Sequence, residues 1–145
     1  MVDEIKCRFC EINKLRTRIV GETKNTITIL SNPALTNGHL LVIPKKHAGK
    51  LSELNEEERK ELFDETVRWQ EILLKTFWGC DIRQNCRLAQ KEDEFKVFHL
   101  HMHLQPREFE DELYQKSQIF EKQVFKFLNQ EGLDEIHKFI EELKK

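Results

Sequence analysis

The sequence has no long apolar run, no glycine-rich loop and no large excess of one charge. No apolar run approaches the roughly 20 residues that a membrane-spanning helix requires. The five glycines are dispersed and form no phosphate loop of the kind that binds nucleotides. A formal net charge of −2 excludes a general attraction for nucleic acid and leaves open only a local basic patch. The N-terminal MVDEIKC lacks the apolar centre of a secretory signal, so we expect a cytoplasmic protein without membrane or nucleic-acid partners.

The apolar pattern predicts strands on both sides of one long helix. TRIVGETKNTITILSN is typical of two short strands with a possible turn at Gly21, and HLLVIP of a strand that ends at Pro44. Residues 81–94 are rich in polar side chains and predict an irregular segment. FKVFHLHMHL then predicts a strand ended by Pro106. This order of elements, in a chain of 145 residues, predicts one domain of the α+β class.

Helical spacing is found in the middle of the chain and again near its end. The predicted long helix spans roughly residues 55–77, where Asn55 and Glu58 form a capping-box pattern. Its apolar face consists of Leu62, Thr66, Trp69, Leu73 and Phe77. After residue 108 two further apolar stripes, separated by NQEG, consist of Leu113, Phe120, Val124 and Phe127, and of Leu133, Ile136, Ile140 and Leu143. We expect this tail to pack on the domain or across a dimer interface.

The four cysteines are not expected to form structural disulfides in a reducing compartment. Cys7 and Cys10 form a C-x-x-C pair, which is typical of half a zinc site or of a redox pair. A redox pair needs an exposed thiolate of low pKa, and nothing beside CRFC predicts one. Cys80 and Cys86 lack the usual spacing of metal ligands, and we interpret them as ordinary buried thiols.

Three of the six histidines, His99, His101 and His103, occupy alternate positions in VFHLHMHLQPR. In a strand these three side chains point to one face, and the other face points into a core and consists of Phe98, Leu100, Met102 and Leu104. Imidazole near neutral pH can attack phosphorus, bind a metal or transfer protons. A row of three therefore favours a site that addresses one ligand or one metal over a solvated face that carries histidine by chance.

HLHMHL resembles the signature of the histidine triad (HIT) family, and GHLLVIPKKH resembles its upstream strand, which ends in a fourth histidine, His47. CRFC resembles the N-terminal motif of the zinc-binding members. The similarity covers about residues 7–107. It implies a HIT-like α+β fold over residues 1–107, with one long helix packed on an antiparallel sheet. Residues 108–145 would form a helical C-terminal extension, and the resemblance implies a homodimer.

The resemblance also implies a chemistry for the histidines. HIT proteins are nucleotidyl hydrolases or transferases, in which the middle histidine attacks the α-phosphate and forms a covalent nucleotidyl-imidazole. Carried over, His101 is the nucleophile and His103 contacts the phosphate oxygens. In the zinc-binding members the ligands correspond to Cys7, Cys10, His47 and His99. Such a closed set of two thiolates and two imidazoles favours a structural zinc over one that activates water.

The positions that hold the substrate depart from the family pattern. A typical member has an Asp for the ribose hydroxyls where this chain has Ser31. Ungapped counting places Leu88 where an Asn is typical, and Asn85 replaces it only if the loop is longer. Glu94, Phe95 and Lys96 stand in place of Gly-Gln and a hydroxyl residue. We expect Ser31 and Lys96 to contact the substrate, although strand alternation places Lys96 opposite the histidines.

Two hypotheses of different class follow from these residues. The first is a HIT hydrolase or transferase that acts on a phosphoramide or phosphoanhydride of a nucleotide, or on another phosphate-containing small molecule, through His101. The intact row of histidines favours it. The second is a zinc-stabilised HIT-like binding module with little catalysis, which the altered substrate positions and the helical tail favour.

Overall fold

A computed structural model of the protein describes residues 7–93 and 95–145. Glu94, which stands at one of the positions that depart from the family pattern, lies outside the described residues. The chain forms two compact units, Met1–Asp111 and Glu112–Lys145. Asp111 stays with the first unit because its carboxylate binds the side chain of Arg107, the last residue of a strand. The predicted boundary between residues 107 and 108 remains a prediction about domains.

The first unit contains a five-stranded antiparallel sheet in the order β1-β2-β3-β5-β4. The strands are β1 (Ile19–Glu22), β2 (Thr26–Leu30), β3 (Leu40–Pro44), β4 (Gly79–Arg83) and β5 (Met102–Arg107). β3 is buried along its whole length, as its continuous apolar sequence requires, and β5 lies between β3 and β4. The α+β prediction, with its antiparallel sheet, is confirmed.

The long helix α1 (Glu56–Leu73) covers one face of this sheet. Asn55 accepts a hydrogen bond from the Glu58 N–H, and the Glu58 side chain accepts one from the Asn55 N–H, so the predicted capping box is present. Leu62 is fully buried in the main core, against β3 and β5 side chains. The core residues that share this cluster are Leu40, Val42, Leu100, Met102 and Leu104. The opposite face of the sheet is not covered by α1, and the candidate functional site lies there.

The strand predictions were wrong at three places. Gly21 lies within β1, and the chain turns after it, at 23–25. Within 81–94, expected to be irregular, the first residues belong to β4. β5 begins only at Met102 and runs through Pro106, which pairs with Cys80 of β4 beyond the residues that pair with β3. A proline is tolerated there because that end of β5 has no ladder partner on its β3 side among the described residues.

Helix α1 ends at Leu73, short of the predicted limit at 77, because the chain turns through 74–78 to enter β4. A short 3-10 helix, Leu51–Glu53, precedes α1. No described helix has the length and apolar character that crossing a membrane requires.

The second unit contains a single π-helical turn (Tyr114–Gln118), the short helix α2 (Ile119–Lys122) and the helix α3 (Gln130–Leu143). The NQEG segment, expected as a break, starts α3, because the Asn129 side chain accepts a hydrogen bond from the Gly132 N–H. Several apolar side chains of α3 are exposed: Leu133, Ile136, Phe139, Ile140 and Leu143. The packing of this tail on a domain or a dimer interface remains a prediction.

Leu62→Ala is expected to lower the free energy of unfolding by about 2–5 kcal/mol, because it leaves a cavity between α1 and the sheet. Val67→Ala, on the exposed side of the same helix, is the matched control and should change it by less than about 0.5 kcal/mol. Urea unfolding followed by circular dichroism measures both. Equal effects of the two substitutions would contradict the assigned packing face.

Candidate functional site

The four predicted metal ligands lie together at one end of the histidine row: Cys7, Cys10, His47 and His99. One side-chain donor atom from each falls within 4.8 Å of all the others. His99 Nδ1 is 3.4 Å from Cys7 Sγ and 3.5 Å from Cys10 Sγ, and His47 Nδ1 is 3.3 Å from Cys10 Sγ. In a tetrahedral site with ordinary metal–sulfur and metal–nitrogen bonds, donor atoms are separated by about 3.5 Å. The four side chains therefore have the spacing to hold a metal ion.

Local hydrogen bonds orient these donors. The N–H of Cys10 donates to the carbonyl of Cys7 at 3.1 Å, which closes the CRFC turn and brings both thiols to one side. His99 is almost fully buried, and its Nε2–H donates to the Pro44 carbonyl at 2.8 Å. This bond leaves the Nδ1 lone pair of His99 facing the thiols, an arrangement typical of metal-binding histidines.

A redox role for the CRFC pair is not favoured by its surroundings. Partial burial and the neighbouring Cys7 thiol raise the pKa of Cys10 above its ordinary value. A reactive redox cysteine requires the opposite shift. The interpretation of Cys80 and Cys86 as buried thiols was half right: burial raises the pKa of the partly buried Cys80 to about 11, whereas Cys86 is exposed.

His101 lies in the middle of the row with its ring held from two directions. Its Nδ1–H donates to the carbonyl of His99 at 2.7 Å, which leaves the lone pair on Nε2. The ring of Phe9 stands edge-on to the His101 ring, with centroids 5.1 Å apart. Burial lowers the pKa of His101, so the ring is a neutral imidazole near pH 7. An oriented, neutral imidazole of this kind can act as a nucleophile or a base.

His103 is linked to His39, a residue to which the sequence pattern assigned no role. The N–H of Leu35 donates to His39 Nδ1 at 3.1 Å, so the proton of His39 is on Nε2. His39 Nε2 then donates to His103 Nδ1 at 2.9 Å, which places the His103 proton on Nε2. His103 is therefore a fixed hydrogen-bond donor beside His101, their ring centroids 4.7 Å apart. The position of His39 in GHLLVIPKKH was the only feature of the sequence that could have singled it out. Its hydrogen bond to His103, a residue of β5, can be found only from the folded structure.

The histidines line a cleft on the face of the sheet that α1 leaves uncovered. Its volume of about 1170 Å³ is sufficient for a nucleotide-sized ligand. Towards β2 and β3 the lining includes the apolar cluster of Phe9, Ile12, Ile29 and Leu41. β4 and the loop that follows it contribute the cationic and amide side chains Arg83, Asn85, Arg87 and Lys96, together with apolar residues of the same loop.

The predicted substrate residues Ser31 and Lys96 both line this cleft. The Ser31 hydroxyl donates to the Pro33 carbonyl at 2.8 Å. Lys96 Nζ is 3.6 Å from a carboxylate oxygen of Asp93. Residues 95–101 precede β5, so the strand alternation that was expected to place Lys96 opposite the histidines does not apply to it.

The other substrate positions are also in the cleft. Asn85 lines it, with its Oδ1 accepting a hydrogen bond from Arg83 Nε at 3.0 Å. Leu88 and Phe95 line it as well. Phe98, expected in the core, is 41% exposed at the cleft instead. The loop between β4 and the histidine row thus supplies both Asn85 and Leu88, and the replacement of the family Asn by Asn85 stays a prediction.

Comparison with known proteins bears on this arrangement. The HIT domain family model matches residues 13–110. The chain belongs to the HIT family. A Zn-bound histidine triad family protein from Mycobacterium smegmatis superimposes with a TM-score of 0.62 at 30% identity, over 74% of this chain and 79% of the other.

Two proteins related in sequence match this chain over similar lengths. An uncharacterized HIT-like protein of Methanocaldococcus jannaschii is 31% identical over 105 residues, which are 70% of this chain and 78% of that protein. The adenosine 5'-monophosphoramidase hnt1 of Schizosaccharomyces pombe is 28% identical over 109 residues, 74% of this chain and 78% of that protein. The recognition of the HIT family from its motifs is confirmed.

Cys10→Ser is expected to remove most of the metal from this HIT protein and to lower its melting temperature, because it replaces one of four clustered donors. Elemental analysis of the purified chain and thermal unfolding measure the two effects. Cys86→Ser is the matched control, since Cys86 is exposed and outside the cluster. Equal metal content in both variants and the parent chain would contradict the site.

His39 and His103 are expected to stay neutral from about pH 8 to about pH 5, with both side-chain protons on Nε2. Burial is the main cause that lowers the pKa of His39 to about 4 and that of His103 to about 3. The unfolded chain protonates both near pH 6.5, so acid favours unfolding between that pH and the folded-state values. Long-range ¹H–¹⁵N NMR correlations report the tautomers, and protonation of either ring near pH 6.5 would contradict this network.

Proposed function

We propose that this HIT protein is a nucleotidyl hydrolase or transferase that acts through a covalent nucleotidyl-histidine at His101. The observation that carries the proposal is the hydrogen bond from His101 Nδ1 to the His99 carbonyl. It reserves the Nε2 lone pair for attack and stabilises the positive charge that the ring acquires when Nε2 bonds to phosphorus. Burial of the ring, which keeps it neutral before attack, acts in the same direction.

The reaction takes place in two displacements. The Nε2 lone pair of His101 attacks the α-phosphorus, and the bond to the leaving group breaks with its electron pair on that group. A phosphate leaves as an anion, whereas an amine takes up a proton from solvent as it leaves. Water or another acceptor then attacks the same phosphorus, the P–N bond breaks, its electron pair returns to Nε2, and the acceptor's proton passes to solvent. The fixed Nε2–H of His103 donates to the phosphate oxygens and stabilises the charge in both transition states.

The nucleoside would lie on the apolar side of the cleft, where Phe9 and Ile12 pack against the β2–β3 cluster. Ser31 lies at this side and would hydrogen-bond the sugar without the bidentate grip of a carboxylate. Lys96 lies on the other side of the histidines and would contact phosphate. The phosphoramidase among the relatives supports a phosphoramide as one class of substrate.

Zinc would be held by Cys7, Cys10, His47 and His99, since two thiols and two imidazoles match its preferred ligands. With four protein donors the ion would be structural and would supply no water for catalysis. The zinc-bound structural neighbour supports this choice of metal. Binding of the ion would fix the position of the turn that carries Phe9, beside His101.

We further propose, from the family resemblance, that the protein is a cytoplasmic homodimer.

Adenosine 5'-phosphoramidate and a diadenosine polyphosphate are expected to be hydrolysed, and His101→Ala should reduce the turnover of both by at least about 1,000-fold. Intact-mass spectrometry of the unsubstituted chain, quenched during turnover, should show one added nucleotidyl group that the variant lacks. His137→Ala is the control, because His137 is an exposed histidine of α3. Metal content and circular dichroism establish that His101→Ala is folded.

The alternative, a zinc-stabilised binding module with altered ligand specificity, has one observation in its favour. The Ser31 hydroxyl, at the expected sugar position, is already bonded to the Pro33 carbonyl. A folded, metal-loaded chain that shows neither turnover nor adduct would contradict the hydrolase and support this module.

A further inference from the structure

The two sides of the cleft differ in composition, and the sheet order explains the difference. The histidine-bearing chain lies between β3, whose neighbours supply the apolar side, and the edge strand β4. β4 and the loop that follows it supply Arg83, Arg87 and Lys96 to the cleft. A reaction centre between these sides is adapted to a substrate with an apolar base at one end and an anion at the other.

Arg83 is the cation nearest to His103 in the register of the sheet. It is the last residue of β4 and pairs directly with His103 of β5, so the two side chains share the cleft face. The Arg83 charge also contributes to lowering the pKa of His103, after the larger effects of burial, of His101 and of His39. Arg83 Nε donates to Asn85 Oδ1, and no ion pair to Arg83 occurs within residues 7–93 and 95–145.

Gln105 is a second polar group at the same place. It lies on the same face of β5 as His103 and pairs with Asp81, so Arg83 is its diagonal neighbour. The Gln105 side chain lines the cleft, is only 3% exposed, and its Nε2 has no hydrogen-bond partner in the described part of the chain. Asp81 does not neutralise Arg83, because its carboxylate binds Arg107 at 2.6 Å. A buried donor left without a partner is costly unless a ligand accepts its hydrogen bond.

We propose that Arg83 and Gln105 form the leaving-group subsite and select a phosphate as leaving group. This rests on the proposed function and narrows its substrate to a nucleoside phosphoanhydride, in preference to a phosphoramide with a neutral amine. The guanidinium supplies the charge, the amide N–H supplies a directed donor, and Asn85 holds the guanidinium in place.

In the first displacement the bond between His101 Nε2 and the α-phosphorus forms while the bond from that phosphorus to the bridging oxygen breaks. The electron pair stays on the bridging oxygen, so the leaving phosphate gains one negative charge and needs no proton. Arg83 stabilises that charge as it develops. An amine leaving group gains no such charge and must take up a proton, so Arg83 contributes little to its departure.

Arg83→Gln is expected to lower kcat/KM for the diadenosine polyphosphate by about 10- to 100-fold. For adenosine 5'-phosphoramidate the reduction should be less than about threefold, because the nucleoside and α-phosphate contacts are unchanged. Arg83→Lys should restore part of the loss. Lys75→Gln removes the same charge outside the cleft and serves as the control.

Gln105→Leu separates a ligand-binding role from a structural one. Because it removes a buried donor without a partner, the melting temperature should stay equal or rise. The polyphosphate kcat/KM should fall while that of the phosphoramidate is kept. A lower melting temperature with equal losses on both substrates would overturn the role of Gln105.

Equal losses on both substrates for Arg83→Gln, or no loss on either, would overturn the inference and leave the proposed hydrolase standing. Absence of turnover in the unsubstituted, metal-loaded chain would contradict the proposed function instead. In that case calorimetric titration with inorganic pyrophosphate tests the subsite alone. Binding that Arg83→Gln abolishes would support an anion subsite, and binding that is absent or unchanged would overturn it.

Discussion

The hydrogen bond from His99 Nε2 to the Pro44 carbonyl is the contact on which the rest of the site depends. It fixes the His99 ring so that Nδ1 faces the two cysteine thiols. The carbonyl of the same residue accepts the hydrogen bond that orients His101. One buried histidine, hydrogen-bonded to the last residue of β3, therefore orients both the donor cluster and the ring of His101.

A second set of hydrogen bonds fixes the far end of the histidine row. It begins at a backbone N–H, that of Leu35, and passes through His39 to His103. Because a backbone amide cannot change its protonation state, the direction of every later hydrogen bond is determined. Burial keeps both rings neutral, so His103 presents an N–H that does not depend on pH near neutrality. The row is thus fixed at one end by the cluster of cysteine and histidine donors and at the other end by the backbone N–H of Leu35.

The cleft between these anchors is asymmetric because the sheet is asymmetric. The side of the cleft towards β2 and β3 includes an apolar cluster, and the opposite face of these strands packs in the core under α1. The edge strand β4 and the loop after it contribute charged and amide side chains. In a chain with a formal net charge of only −2, the basic residues gathered here form a local field without an overall one. The altered substrate positions of this HIT protein lie mostly on this basic side.

The sequence by itself determined the family, the α+β class, the long helix with its capping box, and the four clustered donors. The class and the helix follow from the period of the apolar residues, whereas CRFC and HLHMHL carried the resemblance to the HIT family, and that resemblance implied the set of four donors. Tertiary structure alone decided which side chains meet across strands. The partnership of His39 with His103, the direct pairing of Arg83 with His103, and the place of Lys96 in the cleft each depend on sheet order or loop path. Register between distant segments is set by packing against a shared core, and no local pattern in the chain encodes it.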